Sequence, residues 1–142
     1  MSKQAFIFAL LTALVWGLVP AIEKVGLTRV QPNVALLVRS CGVIFGAALL
    51  LLFKFNSIKA EFLDVTPRTV FFLVSGGLLA SIVAQLFFYR ALKFGDTSKV
   101  VAIAGTYPLV SFLLALIFLG EKFTLVKFLG IFFVLLGVVL LR

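Results

Sequence analysis

Four small or polar side chains follow one another at four-residue intervals on a single apolar stretch: Gly77, Ser81, Gln85 and Tyr89. Residues at this spacing lie on one face of an α-helix. Polar groups are costly in hydrocarbon and usually face a protein interior or a cavity. Gln85 is the most informative, because its amide carries two donors and an acceptor. The pattern predicts that Gln85 lines a solute cavity, with a dry helix–helix contact as the alternative.

Two other apolar stretches carry similar groups. The first has Thr12, Trp16, Pro20 and Lys24 at the same four-residue interval, and the fourth has Tyr107 followed by Pro108. A hydroxyl inside an apolar helix often bonds a carbonyl of its own helix, and we expect this of Thr12, Ser81 and Ser111. Each proline removes a backbone hydrogen bond and so permits a kink.

Arg39 is a cation within the second apolar stretch, six residues after Asn33. Three interpretations remain open. Its guanidinium reaches back to lipid headgroups, or it faces a cavity near Lys24 and attracts carboxylate or phosphate groups, or it pairs with Glu23 or a helix C-terminus in a structural role.

Residues that support enzymatic chemistry are scarce. The chain has no histidine and a single cysteine, Cys41, which excludes a conventional transition-metal site and an intrachain disulfide. The five acidic residues lie in predicted loops or near the ends of apolar stretches: Glu23, Glu61, Asp64, Asp96 and Glu121. We therefore expect no enzyme, no metal and no cofactor.

Five apolar stretches must position these side chains. The chain is 63% hydrophobic with a mean hydropathy of +1.28, and a hydrocarbon core of roughly 30 Å needs about 20 apolar residues. The stretches cover approximately residues 5–22, 34–53, 69–92, 100–119 and 125–141. They are continuous rather than alternating, which indicates helices. The sequence predicts an all-α membrane protein, a five-helix bundle forming one domain over residues 1–142.

The basic residues are almost evenly divided between the two membrane faces. Six lie on the amino-terminal side: Lys3, Lys54, Lys59, Arg68, Lys122 and Lys127. Seven lie on or nearest the other side: Lys24, Arg29, Arg39, Arg90, Lys93, Lys99 and Arg142. Because orientation follows the Lys/Arg bias of short loops, this balance predicts insertion in both orientations. The net charge of +8 is spread over short loops, which favours contact with membrane lipid and argues against nucleic acid.

Small residues on three stretches are suited to close helix packing. Gly42 and Gly46 form one such pair, and Gly76 begins another with Ala80 and Ala84. We expect both to pack within the chain. Two glycines near the carboxyl terminus are seven residues apart and share a helix face; they are the predicted dimer contact: Gly130 and Gly137.

Taken in order, these features resemble a known family. The matching residues are Trp16, Pro20, Lys24, Arg39, Tyr89-Arg90-Ala91-Leu92-Lys93, Tyr107-Pro108, Gly120-Glu121, Lys127-Phe128-Leu129-Gly130 and Gly137. Together they resemble the EamA-like repeat of the drug/metabolite transporter superfamily, over essentially the whole chain. Most members carry two five-helix repeats in opposite orientation around a central cavity, whereas this chain resembles one repeat.

The resemblance implies roles for individual residues. By the family pattern, the first, third and fourth helices line the cavity, so the implied substrate-binding residues are Trp16, Lys24, Gln85, Tyr89 and Tyr107. Arg39 and Glu121 match family positions whose role is either in the cavity or structural. The last helix also resembles that of the small multidrug resistance proteins, which pair antiparallel through it. The chain departs from those proteins in lacking a membrane-embedded glutamate in the first helix.

Two functions follow from the sequence. The first is a multi-pass transporter of the cell's inner membrane that moves a small metabolite or amphipathic solute by alternating access, as an antiparallel homodimer of dual topology. The alternative is a non-transporting membrane subunit, or a half-transporter that works only with a different partner chain.

Overall fold

The computed structural model describes residues 2–141, and it contains helices and no strand over that range. Met1 and Arg142, both within the predicted domain 1–142, lie outside the described residues. The helices are α1 (Lys3–Leu27), α2 (Pro32–Phe62), α3 (Pro67–Leu78), α4 (Gln85–Phe94), α5 (Thr97–Ala104), α6 (Tyr107–Phe118) and α7 (Leu125–Leu141). A π-helical segment, Leu79–Ala84, joins α3 to α4. The predicted all-α membrane class is confirmed.

Four helical segments of the described chain are long and apolar enough to cross a membrane: Lys3–Leu27, Pro32–Phe62, Pro67–Phe94 and Thr97–Phe118. The fifth, α7, is apolar but has only 17 residues. A helix of about 17 residues is at the short end of what can cross a bilayer. Each of the five predicted stretches therefore corresponds to a helical segment.

Proline and hydroxyl residues set the helix starts. Pro32 and Pro67 stand in the first turns of α2 and α3, where a missing N–H costs nothing. The Thr66 hydroxyl accepts a hydrogen bond from the Thr69 N–H at 3.2 Å, which caps α3. Asp96 occupies the N-cap of α5 with its side chain not bonded to the helix.

A glycine turn separates α6 from α7. Gly120 has φ +63°, a left-handed conformation that glycine adopts without steric cost. The Glu121 N–H donates to the Ala115 carbonyl at 3.1 Å and so closes the end of α6. Thr124 accepts from the Lys127 N–H at 3.4 Å at the start of α7.

The chain forms two compact units. The first comprises the chain up to Lys24 together with the part from Phe94 onward. In it, α7 packs against α5, and the ring of Phe123 lies 6.2 Å from those of Phe112 and Phe128, centroid to centroid. The prediction of a single domain stays a prediction.

The second unit, Val25–Lys93, holds four buried large hydrophobic side chains. These are Leu27, Leu36, Tyr89 and Leu92. Most other apolar side chains of the spans are exposed. In each of the four long spans, at most 6% of the most apolar 18 residues are buried. Such a surface is suited to lipid or to a partner helix.

Candidate functional site

The fourth span is interrupted near its middle. Between α5 and α6, Gly105 (ψ −1°) and Thr106 (ψ −6°) leave the regular helical path. The Gly105 N–H donates to the Val101 carbonyl at 2.8 Å, and both the N–H and the hydroxyl of Thr106 donate to the Ile103 carbonyl, at 3.1 and 2.8 Å. The interruption lies about 12 Å along the helix from Thr97, close to mid-depth of a bilayer.

Glycine avoids close contacts at this interruption. A Cβ on Gly105 would lie 3.1 Å from the Val101 oxygen and 3.3 Å from the Ala102 oxygen. Pro108, in the first turn of α6, lacks the N–H that would continue the helix across the gap. The kink permitted by Pro108 is therefore present as a break of the helix just before it. Pro20, in contrast, lies inside the continuous helix α1.

Tyr107 begins α6 directly after the break, and its side chain is 57% exposed. Trp16, in the middle of α1, is 62% exposed. Both belong to the first unit and present aromatic surface with a polar atom, which suits an amphipathic solute or a second protein surface. Their assignment to substrate binding stays a prediction.

The third span also departs from α-helical geometry at its centre. The π-helical segment Leu79–Ala84 lies midway along Pro67–Phe94, and π-helical turns are frequent at functional sites. Sequence reasoning missed this segment. The adjacent pair Gly76-Gly77 was a usable signal, because glycine weakens a helix interior.

Gln85 stands where the π-helical segment meets α4, and Tyr89 follows four residues later on the same face. Gln85 is half-buried and interacts with the surrounding protein. Tyr89 is only 2% exposed within the second unit. Gln85 thus has surface available to a solute, whereas Tyr89 lies within the packed part of the second unit. Their role in binding stays a prediction.

Lys24 makes a defined contact in the first unit. Its Nζ donates to the Gly95 carbonyl at 2.9 Å, just past the end of α4. A lysine placed on carbonyls at a helix terminus satisfies acceptors that the helix leaves open and opposes the negative end of the helix dipole. This contact gives Lys24 a structural function beside its predicted role in solute binding.

Lys93 makes the corresponding contact in the second unit, and sequence reasoning did not single it out as a contact. Its Nζ donates to the Leu27 carbonyl at 2.7 Å and to the Val30 carbonyl at 3.0 Å. Leu27 ends α1, so Lys93 satisfies backbone acceptors at that terminus. The signal in the sequence was a lysine in the last turn of a helix.

Glu121 forms an ion pair with Lys127 at 2.9 Å across the start of α7. The two side chains are 50% and 45% exposed, so water screens the pair and its contribution to stability is about 0–1 kcal/mol. The geometry gives Glu121 a structural contact at a span end.

Arg39 lies in the second unit, half-buried, with its Nη1 atom buried and its side chain engaged with other protein groups. The Thr12 hydroxyl donates to the Phe8 carbonyl at 2.8 Å, which confirms the expected bond within its own helix. Ser81 and Ser111, also among the described residues, show no such bond, so the expectation is wrong for them. The described residues contain no group of three His, Cys, Asp or Glu side chains placed to hold a metal ion.

The small-residue stripes are open in the structure. A Cβ built on Gly42, Gly46 or Gly76 meets no neighbouring atom within 4 Å. We expected these glycines to pack against other helices of the same chain, and for the described residues this expectation is wrong. Gly130 and Gly137 are equally open, which leaves room for another helix at the predicted dimer contact.

Comparison with known proteins identifies the family. Residues 3–142 match the EamA-like transporter family. A protein of a Sinorhizobium species, described as an uncharacterized transporter in the cobO 3′ region, is 30% identical over 141 residues, which are 99% of this chain and 98% of that protein. No solved structure matches the chain. The match over almost its full length shows that the chain belongs to the EamA-like transporter family.

Proposed function

We propose that the protein moves a small metabolite or amphipathic solute across the cell's inner membrane by alternating access, as an antiparallel homodimer. The break at Gly105–Thr106 is the observation that carries this proposal. Irregular backbone at membrane depth is tolerated only where protein or a water-filled cavity surrounds it. In transporters, interrupted helices near the midplane commonly form the binding site.

The π-helical segment supports the proposal independently. It places a second irregular backbone at the centre of a span, and Gln85 lies at its end. A polar amide beside an irregular turn is suited to bind a solute by hydrogen bonds. Gln85, Trp16 and Tyr107 are therefore the proposed solute-binding residues, with Lys24 and Tyr89 supporting them.

Three observations support an antiparallel pair. The basic residues divide six to seven between the faces. The spans bury little of their surface within one chain. The 141 aligned residues make up 98% of the relative from Sinorhizobium, so that protein also has the length of a single repeat. Two inverted copies would supply the inverted-repeat symmetry that alternating access uses.

A half-transporter that works with a different chain is the second candidate, and the open surface of the spans favours it equally. Purified protein alone, reconstituted in liposomes, separates the two. We would screen labelled amino acids, organic acids, sugars, nucleosides and quaternary amines for thermal stabilisation, then measure uptake of those that bind. Uptake by the single chain above protein-free liposomes supports the homodimer. Binding without uptake, restored by a co-purified partner, would favour the half-transporter.

A further inference from the structure

The helix α2 is longer than a membrane crossing requires. It has 31 residues, and the part from Pro32 to Phe53 is already about 33 Å long at 1.5 Å per residue. The hydrocarbon core is roughly 30 Å thick. The two further turns, Phe55–Phe62, therefore extend beyond the hydrocarbon core unless the helix changes direction.

The helix does change direction at the required place. Lys54 has φ −122° and ψ 20°, outside the α-helical region, between the crossing part and the remaining two turns. A backbone irregularity of this kind permits a kink. Lys54 thus marks the level at which α2 leaves the membrane core.

The segment Phe55–Phe62 is amphipathic. Phe55, Ile58 and Phe62 recur at the spacing of one helix face. Asn56, Ser57 and Glu61 lie on the other side. Helices with an apolar and a polar face lie along the membrane surface, with the apolar face buried at the level of the headgroups and upper acyl chains.

The apolar face forms an open groove of about 410 Å³. Its lining is apolar apart from one lysine: Leu51, Phe55, Ile58, Lys59, Phe62 and Leu63. Leu63, which also lines the groove, is 83% exposed. An open apolar groove with a single cation on its wall is suited to an acyl chain joined to a phosphate.

Two further cations lie near the ends of the adjoining spans within the second unit. Lys54 stands at the kink, and Arg68 lies in the first turn of α3, with its Cζ 5.9 Å from the centre of the Phe72 ring. Glu61 and Asp64 oppose them in charge, so the stretch carries three cations and two anions. Glu61 belongs to the polar side, which leaves Lys59 as the charge on the groove wall.

We propose that Phe55–Phe62 lies in the membrane interface and binds an anionic phospholipid, with one acyl chain along the groove and its phosphate at Lys59. The site holds lipid whether or not the protein transports a solute. It is distinct from the proposed solute-binding residues on the first, third and fourth spans.

The depth of the segment is tested with two cysteines that lie next to each other on opposite faces. On a Cys41→Ser background, Ile58→Cys and Ser57→Cys are labelled with an environment-sensitive fluorophore in liposomes of phosphatidylglycerol and phosphatidylcholine. We expect spin-labelled lipid to quench the label at position 58, and iodide on both sides of the bilayer to quench the label at 57. Equal quenching by iodide at both positions would overturn the interfacial placement and would favour a segment that projects into water or contacts a partner protein.

The lipid preference is tested by native mass spectrometry of the full chain with phosphatidylglycerol or phosphatidylcholine. Lys59→Gln should lower the preference for phosphatidylglycerol about fivefold, because one basic residue near the membrane surface attracts anionic lipid by about that factor. Lys122→Gln is the matched control, an exposed lysine that the sequence predicts on the same membrane side and that does not line the groove. An equal loss in the control, or no loss at Lys59, would show that the groove holds no headgroup site.

Discussion

At the scale of single residues, one experiment can decide whether the Gln85 amide binds a solute or stabilises the fold. It lies at the end of the π-helical segment, half-buried, and it interacts with the protein. Its two donors and its acceptor allow bonds to a solute beyond those within the chain. Gln85→Leu should therefore abolish transport while the melting temperature stays constant or rises.

A structural Gln85 leads to the opposite result. If Gln85 is structural, Gln85→Leu leaves the groups bonded to its amide unsatisfied, and the free energy of unfolding falls by about 1–3 kcal/mol. The protein that remains folded would transport normally. Thr12→Val is a suitable control, because the Thr12 hydroxyl is already bonded to the Phe8 carbonyl within α1. We expect the control to change neither the melting temperature nor the transport rate by much.

Lys93 offers a test of stability at the same scale. Its Nζ donates to two carbonyls, those of Leu27 and Val30. Lys93→Met keeps much of the side-chain volume but removes the donor, so the free energy of unfolding should fall by about 1–3 kcal/mol. Thermal unfolding in one detergent, with exposed Lys122→Met as the control, measures this difference. Equal melting temperatures for the two variants would show that the contact contributes nothing.

At the scale of elements, the break between α5 and α6 depends on Gly105. Gly105→Ala would bring a methyl group to 3.1 Å from the Val101 oxygen, so the end of α5 must shift. We expect slower transport and a lower melting temperature. Gly26→Ala, at an open helical position, should instead stabilise the protein by up to about 1 kcal/mol. If Gly105→Ala transports at the normal rate, the geometry of the break is not required for function.

The last helix carries the predicted dimer contact. Gly130 and Gly137 are open in one chain, and helices in lipid approach closely where residues are small. Replacing both with Leu should shift the protein toward monomer in detergent, as measured by light scattering. Gly42→Leu with Gly46→Leu is the matched pair on α2, and it should leave the dimer intact. A dimer that persists in the Gly130 and Gly137 variant would assign the contact to another face.

The sequence predicts the helical elements well and their irregularities poorly. Hydropathy located the spans because burial in lipid depends on composition. Hydropathy did not locate the π-helical segment at Leu79–Ala84. A π-helix differs from an α-helix in its backbone hydrogen bonds, and the hydropathy of a stretch does not depend on those bonds. The extension of α2 beyond Phe53 was missed because an apolar run ends where an amphipathic segment begins. Pro108 did indicate the break at Gly105. The candidate binding residues are harder to assign, since a binding face depends on which surfaces meet.

At the scale of the whole molecule, the balance of charge determines how the chain enters the membrane. Six basic residues on one side and seven on the other give little orientation bias. Ser57→Cys on the Cys41→Ser background should therefore react with a membrane-impermeant thiol reagent from both sides of the membrane. The two fractions, measured on intact cells and on inverted vesicles, should be comparable. Labelling from only one side would exclude dual topology.

The spans differ in length, so a bilayer of one thickness does not match all of them. The 17 residues of α7 span about 25 Å, whereas the 28 residues of Pro67–Phe94 span about 42 Å. The mismatch between α7 and a hydrocarbon core of roughly 30 Å is relieved by thinning of the bilayer beside this short helix. In lipids with short acyl chains, the thinner hydrocarbon core already covers the full length of α7. We therefore expect α7 to associate with a second helix least strongly in such lipids. The thickness of the host membrane thereby becomes a control on how strongly two chains associate.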